Sequence, residues 1–187
     1  MNTDENPNEN ELFLESLDMN FPVIPLNPDY KIVPYKAGDI DTWISIQSQT
    51  EKFIEITKEL YYRNFGDDDE ILSQRQFFLI DNKTNKAIGT TTAWFLFLDE
   101  HCTAEKWGRV HWVCILPEYQ GKGLGKALVS FTLEKLKELG HTEIFLDTDI
   151  RRQNAVHIYK SFGFKEQDKE FIKVIKRYHN LALYKKD

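Results

Sequence analysis

The segment Gln120-Gly121-Lys122-Gly123-Leu124-Gly125-Lys126 places three glycines within five positions, 121 to 125, with a lysine on either side of Gly123–Gly125. It follows an apolar run that stops at Pro117 and precedes a stretch with helical periodicity. Glycine lets the chain turn sharply and lets a ligand come close to the main chain. A helix that starts at such a turn offers unbonded N–H groups and the positive end of its dipole to an anion. The chemistry on offer is the holding of a phosphate or pyrophosphate. Two common phosphate loops do not fit. An ATP or GTP loop needs glycine at position 120 and a hydroxyl at 127, where this chain has Gln120 and Ala127. A dinucleotide fingerprint needs glycine at 126 or 128, where it has Lys126 and Leu128. On this segment alone, a glycine turn with no ligand stays open.

The loop can work only if a strand ends before it and a helix starts after it, and the flanking pattern supplies both. Arg109–Leu116 reads as a strand ended by Pro117. Leu128, Val129, Leu133, Leu136 and Leu139 share one side of a helix whose other side carries Glu134, Lys135, Lys137 and Glu138, with Gly140 as its stop. Glu143–Asp147 reads as a strand, Asn154–Phe162 as a helix ended by Gly163, and Phe164 as the start of another strand. The strand pair 109–116 and 143–147, joined by a helix, predicts a parallel βαβ unit. Upstream, Tyr30–Pro34 is a strand, Asp39 caps a helix through Trp43 and Ile46, and 51–65 is a second helix with a further helical turn after it. Gln76–Ile80 and Ala87–Asp99 form a hairpin across DNKTNK, 100–106 is a loop, and 171–184 returns to the sheet. Residues 1–29 are expected to be a disordered or extended segment, with a short helix at 11–19, and 30–187 a single domain. The fold class is α/β, a mixed sheet with helices on both faces.

At 187 residues, with 41% hydrophobic and 29% charged, the composition is that of one globular domain with a substantial core. A net charge of −6 gives no support to a nucleic-acid role. Cys102 and Cys114 lack zinc-site spacing; two free thiols in a reducing cytoplasm is the plain reading, and a disulfide stays open. Met1–Glu11 is too polar for a signal peptide, and the longest apolar runs, such as Ala93–Leu98, are too short for a bilayer. The expectation is a cytoplasmic protein with no membrane partner. Asp67–Glu70 reads as a solvated acidic loop and not a metal site, and Tyr61, Tyr62 and Phe65 as helix core that could instead line a groove. No metal is implied, and His179 has no assigned partner.

Residues Val113 to Leu128, with Gln-x-x-Gly-x-Gly after Pro117-Glu118-Tyr119, resemble the GCN5-related N-acetyltransferase (GNAT) superfamily. The stretch Ala155-Val156-His157-Ile158-Tyr159-Lys160-Ser161-Phe162-Gly163-Phe164 resembles that family's Ala-x-x-x-Tyr-x-x-x-Gly-Phe helix. The resemblance implies a splayed parallel strand pair at 109–116 and 143–147 with acetyl-CoA in the split. It places the pyrophosphate on Gln120, Gly121, Lys122, Gly123, Leu124, Gly125 and Lys126, and the pantetheine arm along Cys114, Ile115 and Leu116. Where the family often has a cofactor-contacting Asn three residues before the helix alanine, this chain has Arg152, with Asn154 displaced beside Ala155. Either of these two contacts the cofactor, or the contact is missing.

The implied reaction is attack of a primary amine on the thioester in a ternary complex. Tyr159 takes the family's acid position and protonates the thiolate. His111 lies on the strand where many members carry a glutamate base; alternation puts His111, Val113 and Ile115 on one face and Trp112 in the core. Asp147 and Asp149 compete for the base. The plain alternatives are a core tyrosine and a hydrogen-bonded strand histidine. Set against the enzyme, as monomer or homodimer, are an acyl-CoA-binding regulatory module without catalysis and a nucleotide-binding protein. The acceptor is not legible.

Overall fold

The computed structural model describes residues 10–95 and 107–167. The chain forms a seven-stranded sheet in the order β2-β3-β4-β5-β6-β1-β7. The strands are β1 (Glu11–Ser16), β2 (Tyr30–Pro34), β3 (Gln76–Asp81), β4 (Lys86–Phe95), β5 (Trp107–Ile115), β6 (Glu143–Asp149) and β7 (Lys165–Glu166). The helices are α1 (Ile40–Thr50), α2 (Lys58–Phe65), α3 (Asp69–Arg75), α4 (Leu124–Glu138) and α5 (Gln153–Ser161). Every strand pair is antiparallel except β5–β6, which is parallel with α4 as its crossover. This is the mixed α/β sheet and the βαβ unit that the sequence predicts. The expected loop at 100–106, the end of the hairpin strand beyond Phe95, Cys102, His179 and the returning segment 171–184 lie outside the described residues.

Three expectations are corrected. Residues 11–16 are not helical: they form β1, which lies inside the sheet with β6 on one side and β7 on the other. Phe13, Leu14 and Ser16 are all buried, so the strand is covered on both faces and shows no alternation for periodicity to detect. The N-terminal 29 residues therefore contribute a strand to the folded unit. The second helix begins only at Lys58, after the hydroxyl of Thr57 accepts from the Leu60 N–H at 3.1 Å. Residues 51–57 stay irregular and are free to reach across the site. Asp39 stands at the start of α1 as expected, but its carboxylate accepts from the Lys36 N–H at 2.8 Å and does not cap the helix.

The sheet divides two apolar layers. Adjacent residues point to opposite sides: Phe78 and Trp94 join a cluster with Trp43, Tyr61, Phe65 and Leu72, whereas Phe77 and Ala93 join one with Val129, Leu133, Leu136 and Tyr159. Trp43 is fully buried, and its ring meets Tyr61, Phe65 and Trp112 at 5.1, 5.5 and 5.1 Å between centroids. Such aromatic contacts add about 0.5–1.5 kcal/mol each beyond burial, and here they lock α1 and α2 onto the middle of β5. Among the described residues, no helix is long and apolar enough to cross a membrane.

Candidate active site

The site begins with a defect in β5. Thr90 pairs with Cys114 and Thr92 with His111, so Trp112 and Val113 together oppose Thr91. Trp112 takes up the extra residue in a left-handed conformation, φ 49°, which costs a bulky side chain on the order of 1–3 kcal/mol. Two bonds to its carbonyl offset this cost: Gln47 Nε2 donates at 3.1 Å and Thr90 Oγ1 at 2.9 Å. Gln47 is itself buried and also donates to Thr90 Oγ1 at 2.7 Å. A bulge bends its strand. β5 keeps its ladder with β4 to Ile115, while its parallel pairing with β6 is confined to Trp107–Arg109. Past Arg109 the two strands have separated, which is the predicted split.

The bulge also corrects the expected facing of side chains. His111, Trp112 and Val113 all border the cleft that the split opens, a space of about 600 Å³. The imidazole of His111 is 8% exposed, with its Nε2 3.3 Å from Asn64 Oδ1 and its ring beside Phe65 and Trp112. Tyr159 of α5 also borders the cleft and is likewise 8% exposed. Burial pushes its phenol up to about 12; the nearby charge of Asp147 adds to the rise and Arg152 opposes it. A phenol so placed keeps its proton at neutral pH.

The other two carboxylates proposed as bases are already committed. Asp147 accepts from Arg109 through Nε at 3.0 Å and again through Nη2. Asp149 is bonded by the Arg151 guanidinium and by the Arg151 N–H, which hold its carboxyl below the usual carboxylate range and make it a poor base. Arg152 borders the cleft and donates to Glu51 Oε2 at 2.5 Å. Asn154 is exposed on the first turn of α5 and does not border the cleft.

The glycine segment lies after β5 and a short 3₁₀ turn, Pro117–Tyr119. Gln120 Nε2 donates to the Ile115 carbonyl at 2.8 Å, tying the loop to the strand end. Gly121 and Gly123 have φ of 77° and 76°, which L side chains rarely adopt, and a Cβ at either would meet open space. α4 starts at Leu124 with no side-chain cap, so its first-turn N–H groups are left for another acceptor. Lys122 and Lys126 are exposed, and Leu124 is buried. The loop fits an anion presented to backbone donors, and it lies outside the cleft lining. Cys114 is a half-buried free thiol whose pKa is raised by burial, while Ile115 and Leu116 are buried. Their contribution to a ligand would be main chain.

Sequence reasoning missed Gln47, Glu51, Phe53 and Asn64, which come from α1, α2 and the segment between them. Polar residues on an apolar helix face are the one signal that could have pointed to Gln47 and Asn64. Among the described residues, no group of three or more His, Cys, Asp or Glu is placed to hold a metal.

Comparison with known proteins agrees with this architecture. Residues 41–164 match the acetyltransferase (GNAT) family. The chain is 31% identical over 97 residues to N-acetyltransferase 8B of Homo sapiens, covering 52% of this chain and 42% of that protein. It is 41% identical over 61 residues to mycothiol acetyltransferase of Pseudarthrobacter chlorophenolicus, covering 33% of this chain and 19% of that protein. The aligned stretches thus span less than half of these relatives. Among solved structures, a GCN5-related N-acetyltransferase from Sphaerobacter thermophilus superposes with TM-score 0.67 at 16% identity, over 84% of this chain and 48% of that one. An aminoglycoside N-acetyltransferase in complex with CoA superposes with TM-score 0.57 at 18% identity, over 78% and 94%. At these identities the superpositions establish the fold.

Proposed function

Because the chain belongs to the acetyltransferase (GNAT) family, we propose that it moves the acetyl group of acetyl-CoA to a primary amine by direct attack in a ternary complex. The observation that carries this reading is the separation of β5 from β6 past Arg109, with His111 and Tyr159 both bordering the gap and the glycine loop at the end of β5. A strand that has lost its neighbour offers N–H and C=O groups to the amides of a pantetheine arm. The backbone of Gln120–Lys126 then holds the pyrophosphate, and the β5 backbone at Cys114–Leu116 orients the arm and can donate to the thioester oxygen.

The amine nitrogen bonds to the thioester carbon and the C–S bond breaks. The amine gives up a proton, to His111 directly or through water, and Tyr159 protonates the thiolate. A phenol pushed up to about 12 is a weaker acid than an alkyl thiol of pKa about 8.5. The transfer is therefore uphill unless the phenolate is stabilised where it forms.

The test is release of free CoA thiol from acetyl-CoA in the presence of a panel of primary amines: an amino sugar, a polyamine, an aminoglycoside, an α-amino acid and a lysine-bearing peptide. Amine-dependent release is expected. Tight CoA binding without thiol release for any amine would leave a non-catalytic acyl-CoA-binding module, and ATP displacing CoA would leave a nucleotide-binding protein.

A further inference from the structure

Glu51 ends the helical part of the α1 segment and points into the cleft with only 4% of its side chain exposed. Both of its oxygens are used. Oε1 accepts from the Lys52 and Phe53 N–H groups at 2.8 Å each, and Oε2 accepts from Arg152 at 2.5 Å. Burial opposes the charged form, yet the Arg152 bond and the backbone N–H groups together hold the carboxyl below its usual range. Arg152 also lies over the Phe53 ring at 5.2 Å. A buried carboxylate with every bond supplied by its own loop and one arginine is a fixed anchor, and it holds the guanidinium at a set place in the cleft.

That place bears on Tyr159. Arg152 is the N-cap of α5, and Ala155 and Tyr159 follow at spacings of three and seven residues. Ala155 and Tyr159, four residues apart, share one face of the helix, and with Arg152 they border the cleft. Side chains on a helix lean toward its N-terminus, so the phenol leans back toward the end that carries Arg152. Of the five N–H donors of a guanidinium, one Nη2 bond to Glu51 is the hydrogen bond Arg152 makes among the described residues. We infer that Arg152, anchored by Glu51, is a positioning residue for the acid step: its charge stabilises the phenolate that forms when Tyr159 gives its proton to the departing thiolate.

The inference rests on the proposed function. Charged and titratable groups sharing the cleft with Tyr159 include Glu51, Arg109, His111, Asp147, Asp149, Arg151 and Arg152, of which Asp147 and Arg152 bear on its phenol, with Cys114. Asp147 disfavours a phenolate and is paired with Arg109, as Arg152 is with Glu51. Arg152 is the cation that bears on the phenol and pulls in the direction the reaction needs. The proton balance closes without another reactant. The amine's proton passes from His111 to water, and water restores the Tyr159 phenol once the thiol has left.

Two measurements test it. In the full chain, Tyr159 is replaced by a fluorinated tyrosine acidic enough to titrate within the protein's stable range, and the phenolate absorbance is followed against pH. Arg152→Gln, which keeps a donor for Glu51 but removes the charge, should move that titration to higher pH. Arg152→Lys should restore it, since only a single N–H bond links Arg152 to Glu51. A titration unmoved by Arg152→Gln overturns the inference, and because this arm needs neither acceptor nor turnover, its outcome is independent of the proposed activity. The second measurement is a single-turnover rate with the fastest amine of the panel. Arg152→Gln should slow it about tenfold in the natural chain and less than about twofold in a Tyr159→Phe background, because residues acting through one another are not additive. Losses that add in full would place Arg152 directly on the sulfur, and a tenfold or greater loss of CoA affinity by calorimetry would place it on the cofactor; either result overturns the inference.

Discussion

The glycine loop and the cleft solve opposite problems. The loop is one contiguous stretch, 120–126, that is mostly exposed and presents main-chain donors from the uncapped start of α4. The cleft is assembled from the end of α1, the irregular segment after it, α2, a bulged β5, the end of β6 and the face of α5. Ion pairs hold it, among them Arg109–Asp147, Arg151–Asp149 and Arg152–Glu51. A site made of backbone is robust to most side-chain changes and sensitive to glycine. A site made of converging side chains is sensitive at each of them, in rate or in stability according to what the side chain touches.

The contrast is sharpest at Tyr159. Tyr159→Phe keeps the ring that packs 6.1 Å from Phe164 but removes the proton donor. It should lower kcat by about 10²–10⁴ with CoA affinity unchanged. A wild-type rate in a chemistry-limited step would return Tyr159 to the core. The next effect is on stability. Asp147→Ala removes the carboxylate that the Arg109 guanidinium bonds twice, from a side chain that is 8% exposed. Breaking a buried pair costs about 3–5 kcal/mol; Asp147 is 27% exposed, so about 2–3 kcal/mol is expected once solvent screening is allowed for. Urea unfolding measures it, and a loss under about 0.5 kcal/mol would show the pair to be ornamental. In the loop, Gly123→Ala should weaken CoA binding more than tenfold. The left-handed φ of 76° strains any L side chain, and the Cβ, which meets no protein atom, would occupy space the ligand needs. Calorimetry showing unchanged CoA affinity in the folded variant would remove the loop from the site.

The same division explains what the sequence revealed. Glycine spacing between a strand and an amphipathic helix is local, so the loop, α4 and the β5–α4–β6 unit could be read from Gln120–Lys126 and the leucines of α4. β1 could not: with Phe13, Leu14 and Ser16 all buried, burial does not follow the alternation of the strand, and the run Leu12–Leu14 imitates a helix fragment. The bulge was hidden for a different reason. Nothing in Trp112 marks a left-handed residue; its conformation depends on Gln47 and Thr90, which arrive from elsewhere in the chain. Alternation therefore assigned Trp112 to the core alone, when it also borders the cleft. Glu51 and Arg152 lie a hundred and one positions apart, and their pairing exists only in the folded chain.

The smallest expected effect is a flat one, and it bears on both candidates at once. If His111 is the base, kcat/KM rises with pH as the imidazole loses its proton. His111→Gln should abolish that limb while leaving CoA affinity intact. If Tyr159 is the acid, it must be protonated to act, so its limb falls as pH rises through its pKa. With that phenol pushed up to about 12, the fall lies far above neutrality, and Tyr159 should add no falling limb up to about pH 10. Asp149, held low by Arg151, would instead give a limb at acid pH and a level profile across neutrality. A rate that falls between pH 8 and 10 in a protein still folded at those values would mean that a weaker-held proton than that of Tyr159 is needed for catalysis, and the acid would have to be sought elsewhere in the cleft.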